Sequence, residues 1–140
     1  MNQVNRKRVL IVDDEPTVRR VVRRMLAKNY IVLEAENGVE AVNMVRREKP
    51  DLVLMDVVMP KMDGVGACRL IKSDPDTKVV PVIMLSARVY ELDQEYVKDV
   101  GADGYIVKPF GLQELTETIN RLLPSSVISR GGSDNECDVP

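Results

Sequence analysis

The sequence predicts an α/β fold: a three-layer sandwich whose central parallel sheet carries five strands in the order 2-1-3-4-5, with helices on both faces. Two observations lead there. Short apolar, β-branched runs alternate along the chain with longer segments of helical period, the pattern of a parallel sheet with crossover helices. The runs themselves, such as RVLIV and DLVLM, are apolar almost throughout, as strands covered on both faces must be. Right-handed crossovers then distribute the helices over the two faces.

The elements follow in order. Arg8 to Val12 forms the first strand. A helix runs from Pro16 to Lys28, with Asp14 or Glu15 as its cap and Pro16 at its first position. Val18, Val21, Val22, Met25 and Leu26 make its apolar stripe, and Arg19, Arg20, Arg23 and Arg24 make a solvated face. Tyr30 to Glu34 is the second strand, at the sheet edge. Asn37 opens a helix to Glu48 with Val39, Ala41, Val42 and Val45 inward, and Pro50 stops it. Asp51 to Met55 is the central third strand. Asp63 caps a helix from Gly64 to Lys72, and SDPDTK is a loop. Pro81 to Leu85 is the fourth strand, with its proline at the start. A fourth helix spans Tyr90 to Val100 and Gly101 ends it. Gly104 to Val107 is the fifth strand. A last helix spans Leu112 to Leu123, and Pro124 ends it. This is the flavodoxin-like arrangement, which places ligands outside the carboxyl ends of the strands where the order reverses beside strand 1. Residues 1–123 form one domain in this reading, and 124–140, without periodicity, are a disordered tail or the start of a linker.

Bulk properties narrow the chemistry. The 140 residues are 44% hydrophobic and 30% charged, with a formal net charge of −2, which argues against a nucleic-acid binder. No apolar run approaches the roughly 20 residues of a spanning helix. The basic start, Met1 to Arg8, precedes only the short apolar run Val9 to Val12, so a cytoplasmic location is expected. The chain has no histidine, and its cysteines, Cys68 and Cys137, lack metal-ligand spacing, which removes histidine bases and the usual zinc sites.

What remains is the chemistry at the strand ends. Strand 1 ends in Asp13 and Asp14, strand 3 in Asp56, strand 4 in Ser86 and strand 5 in Lys108. Singly, each has an ordinary explanation: helix caps, a turn residue, a loop hydroxyl, a surface charge. Together the fold sets them on one rim. Carboxylates about 4–5 Å apart at an effective dielectric near 20 repel by about 3–4 kcal/mol per pair. Lys108 offsets part of that, and a hard divalent cation, Mg²⁺ or alternatively Mn²⁺, offsets the rest. Such a site is completed by a phosphoryl group, and an aspartate can itself be the nucleophile.

The segments LIVDDEP, LVLMDVVMPKMDG, PVIMLSA and GADGYIVKPF resemble the receiver domains of two-component response regulators, in the family's order, over about Lys7 to Leu123. The resemblance implies that Asp56 is the phosphoacceptor, served by a histidine kinase, a phosphotransfer protein or small phosphodonors. It implies that Asp13, Asp14, Asp56 and the backbone carbonyl of Val58 hold the metal, and that Lys108, aimed inward by a cis Lys108–Pro109 bond, binds a phosphoryl oxygen. It makes Ser86 and Tyr105 the switch residues. They would reshape the face of the fourth helix, fifth strand and last helix, where a downstream protein docks. Pro60 and Gly64 would shape the loop after the phosphoacceptor. Ser86 stands where the family more often has threonine, and Val58 and Arg88 flank the site at variable positions. On this reading the chain is a stand-alone regulator or the receiver part of a larger one. It catalyses only its own phosphorylation and dephosphorylation, and has no nucleic-acid or membrane contact through this domain. The competing readings are a receiver-like binding module that is never phosphorylated and a Mg²⁺-dependent phosphatase of small substrates. The second lacks an Asp-x-Asp signature after strand 1.

Overall fold

The computed structural model describes residues 6–57, 59, 61–87 and 100–123. Within them the elements are β1 (Lys7–Val12), α1 (Pro16–Leu26), β2 (Tyr30–Ala35), α2 (Gly38–Glu48), β3 (Leu52–Asp56), α3 (Gly64–Ser73), β4 (Val82–Ser86), β5 (Gly104–Val107) and α4 (Leu112–Leu122). The expected fourth helix falls outside the described residues, except for Val100, which is buried, so the helix after β5 is α4 here. The five strands are parallel in the order β2-β1-β3-β4-β5, as expected.

Period-two alternation divides the core. Leu10, Val12, Val53, Met55, Val82 and Met84 point to one face, where Ala41, Val42 and Val45 of α2 and Ala67, Cys68 and Ile71 of α3 cover them. Val9, Ile11, Leu52, Leu54, Ile83, Leu85 and Ile106 point to the other, under Val22 and Leu26 of α1 and Leu115 and Ile119 of α4. Burial of both faces explains why the strands read as unbroken apolar runs. No described helix is long and apolar enough to cross a membrane.

Local chemistry sets the helix starts. Asn37 caps α2 by accepting from the Glu40 amide, and Glu40 reaches back to the Glu36 amide. Asp63 caps α3 through the Gly66 amide. At α1 the expectation of a side-chain cap is corrected. Glu15 holds the cap position without a side-chain bond, and the Asp13 carboxylate instead accepts from the Glu15 amide at 3.0 Å. Two inward assignments also change. Val39 is 43% exposed and Val21 44% exposed. In α2 the buried arc centres on Gly38, Ala41, Val42 and Val45, and Val39 sits about 100° around the helix from Gly38. In α1 the arc is narrower than the apolar stripe, and only Val22 and Leu26 reach full burial.

Gly64 begins α3 where the chain passes against the end of β3. Its amide donates to the Val57 carbonyl at 2.9 Å, and a Cβ there would collide with the Asp56 carbonyl. Gly66, two residues on, has room for a Cβ against Met62. Gly64→Ala is therefore expected to cost about 1–3 kcal/mol from overpacking, while Gly66→Ala is neutral or gains up to about 1 kcal/mol from helix propensity; urea unfolding of the two variants checks the contrast.

Candidate functional site

Strand register builds the site. Val12 pairs with Met55, so Asp13, one residue on, stands beside Asp56. Asp56 pairs with Leu85, which puts Ser86 one residue further along the next strand. Ser86 pairs with Val107, and Lys108 follows. The Lys108 amide donates to the Ser86 carbonyl at 2.8 Å. The strand ends are thus stepped, and the four of them deliver three acids, a hydroxyl and an ammonium to one rim.

Side-chain parity gathers the charges. Asp13 shares the alternation of Val9 and Ile11, Asp56 that of Leu52 and Leu54, and Lys108 that of Ile106, all of which face α1 and α4. With β4 lying between β3 and β5, only a long side chain can reach back across it. The Lys108 Nζ does so, bonding Asp13 Oδ2 at 2.9 Å and Asp56 Oδ1 at 3.2 Å. The Lys108–Pro109 peptide bond is cis, as the resemblance implied.

The acids differ in environment. Asp13 is 0% exposed and Asp56 8% exposed, whereas Asp14 is open to solvent. Burial first, and then the Asp13 charge, push the Asp56 carboxyl up to about 6 against the pull of Lys108. Burial also works against charge on Lys108, but its hydrogen bond to Asp13 and the fields of Asp56 and Asp13 outweigh that and hold its pKa above the usual lysine value. Carboxylate oxygens from Asp13, Asp14 and Asp56 lie within 4.8 Å of one another. One cation among three acids leaves negative charge over, and the donors are all hard oxygens. That donor set fits Mg²⁺ or Mn²⁺. The Val58 carbonyl, expected as a further ligand, lies outside the described residues, as do Pro60 and Arg88.

The two switch candidates differ in exposure. Ser86 is buried at the end of β4. Tyr105 points away from the core at 37% exposure, and with Glu114, Glu117, Thr118 and Arg121 it lines a groove of about 460 Å³ between β5 and α4. On the other side of the rim, Thr17, Val18, Val21 and Val22 of α1 meet Lys108, Pro109 and Phe110 around an apolar groove of about 210 Å³.

The arginine face of α1 needs correction. Arg19 and Arg23 are not simply solvated. Their Nε atoms bond the two oxygens of Glu34 at 2.9 and 2.7 Å, and Arg19 also donates to the Asp13 carbonyl at 2.7 Å. Burial disfavours charge on Glu34, but the hydrogen bonds from Arg23 and Arg19 prevail and hold its carboxyl below the usual range. The signal was present: an acid near the end of the edge strand, beside a helix offering arginines four apart on one face.

The response regulator receiver domain model matches residues 9–120. The chain is similar to the protein PilH of Pseudomonas aeruginosa, 44% identical over 117 residues that cover 83% of this chain and 97% of that one. It is similar to the probable transcriptional regulator ycf27 of Guillardia theta, 42% identical over 119 residues, 84% of this chain. There it spans only 46% of the relative's length, and about half the length of most of the other curated relatives it matches. Among solved structures, the receiver domain of a sensor histidine kinase from Pseudomonas aeruginosa, with a magnesium ion coordinated in its active-site cleft, superposes with a TM-score of 0.79. It is 32% identical and covers 86% of this chain and 99% of that one.

The raised Asp56 pKa has a stability consequence. Between the unfolded value of 3.8 and the folded value of about 6, the folded chain holds more protons than the unfolded one, so this group's contribution is full below about pH 4 and is lost as pH rises through 6. Asp56→Asn is therefore expected to stabilise the metal-free chain at pH 7.5 by about 1–3 kcal/mol, the upper limit being the full shift. The gain should vanish below about pH 4; urea unfolding in EDTA across that range measures it.

Proposed function

The chain belongs to the response regulator receiver domain family of two-component systems, and from that premise we propose that it accepts a phosphoryl group on Asp56 from a histidine kinase or phosphotransfer protein. The observation that carries the reading is the Asp13–Lys108–Asp56 bridge, with bonds of 2.9 and 3.2 Å at the rim of the sheet.

The residues divide the work as follows. An Asp56 carboxylate oxygen attacks phosphorus. The bond from phosphorus to the donor breaks, its electron pair leaves with the donor, and Asp56 becomes an acyl phosphate. With a pKa of about 6, Asp56 is mostly ionised at neutral pH and still more nucleophilic than an ordinary carboxylate. The Lys108 ammonium, already at Asp56, moves its hydrogen bond to a phosphoryl oxygen and neutralises the added charge. Asp13, Asp14, Asp56 and the Val58 carbonyl would hold a divalent cation, which when bound supplies charge neutralisation at the phosphoryl group. The apolar groove beside Lys108 offers a donor protein a surface next to the acceptor.

The output follows from added charge. A phosphoryl group brings about −1.5 to −2 charges and strong acceptor oxygens. The Ser86 hydroxyl donates to one of these, and the end of β4 moves toward Asp56. Tyr105, on the neighbouring strand, has a half-exposed position to give up, so its inward rotation changes the groove that β5 and α4 present to a downstream partner. The two states differ at that face, which is what a switch requires.

Intact mass after incubation with acetyl phosphate and Mg²⁺ tests the proposal. One labile phosphoryl adduct is expected on the wild type, and none on Asp56→Ala or in the presence of EDTA. An equal adduct on Asp56→Ala would move the acceptor elsewhere.

A further inference from the structure

Arg19 occupies a position that the phosphoacceptor chemistry does not use. One guanidinium joins two things: its Nε meets Glu34 Oε1 at 2.9 Å on β2, and its Nη1 meets the Asp13 backbone carbonyl at 2.7 Å. That carbonyl lies between the two adjacent acids of the rim. The other polar groups of Asp13 are also engaged. Its amide donates to the Ala35 carbonyl at 3.1 Å, its Oδ1 accepts from the Glu15 amide and its Oδ2 from Lys108. Asp13 is thus held from four directions, and Arg19 is the hold that α1 contributes.

We propose that Arg19 is a positioning residue for the acidic loop, fixing the Asp13 carbonyl so that Asp13 and Asp14 present their carboxylates to a divalent cation; this rests on the reading of that loop as a metal site. Glu34 is part of the device. An arginine beside a cation site repels the cation. Glu34 supplies an opposite charge beside the guanidinium, which offsets part of that repulsion while Arg19 grips the loop. Arg23 shares Glu34 at 2.7 Å and bonds the Val32 carbonyl at 3.1 Å. It fastens α1 to β2 but makes no bond to Asp13. The pair of arginines therefore separates fastening a helix from orienting a ligand loop.

Three roles for Arg19 predict three different outcomes. If Arg19 were only a nearby charge, its removal would tighten Mg²⁺ binding. If it only fastened α1, removal would lower stability and leave Mg²⁺ affinity alone. As a positioning residue, its removal weakens Mg²⁺ binding although a repelling charge is gone. Groups that orient ligands from behind typically contribute about 10–100-fold in metal affinity. Calorimetric titration of the full chain with Mg²⁺ alone, on wild type, Arg19→Met, Arg23→Met and Arg19→Lys, distinguishes them. Arg19→Met is expected to bind about tenfold more weakly. Arg23→Met should bind as the wild type does. Arg19→Lys keeps the charge but cannot span both partners, and should bind several-fold more weakly while keeping wild-type circular dichroism. It carries the test if Arg19→Met does not fold. Unchanged or tighter binding in the Arg19 variants overturns the positioning role alone. A wild type that binds no Mg²⁺ overturns the metal-site reading and this inference with it.

Discussion

Lys108 reaches across the end of β4 to hold two carboxylates that would otherwise repel each other in a partly buried cleft. Its bonds to Asp13 and Asp56 are the only described ion pairs of either acid. A single ammonium cannot neutralise three acids, and burial, with the Asp13 charge after it, raises the Asp56 pKa despite Lys108. The site is thus stable enough to persist in a folded chain and electrostatically incomplete. On the proposed reading a cation and a phosphoryl group would together complete it. A receiver depends on this imbalance, because a fully satisfied cluster would gain nothing from phosphorylation.

The fold bears the cost of holding that cluster. The apolar strands end within one residue of the charged rim, and both faces of the sheet are closed by helices. Close backbone approach at Gly64 presses α3 against the end of β3. On the opposite flank, Glu34 collects Arg19 and Arg23 and ties α1 to β2. The acids stand at the ends of strands buried on both faces, while the groove at Tyr105 opens between β5 and α4.

Much of this was legible in the sequence because parallel strands announce themselves as unbroken apolar runs and because register follows from strand order. Once Val12 is set beside Met55, Asp13 must stand beside Asp56, and the same step carries Ser86 to Lys108. Where the reading fell short, the deciding contact was long-range or the helical arc was narrow. Periodicity marks Val39 and Val21 as apolar but does not measure the width of the buried arc. Arg19 and Arg23 look like a solvated face until Glu34 is brought beside them from the edge strand. The α1 cap was missed on similar grounds: Glu15 makes no side-chain bond at the cap position, and Asp13, whose other oxygen Lys108 holds, accepts from the Glu15 amide.

If Asp56 lies in a cleft short of positive charge, its titration must respond to a divalent cation. Carboxyl-carbon NMR of the labelled chain, titrated with and without Mg²⁺, measures it directly. An Asp56 midpoint near 6 is expected without metal, with a clear downward displacement when Mg²⁺ is added. A midpoint near the ordinary aspartate value of about 4, unmoved by Mg²⁺, would contradict it.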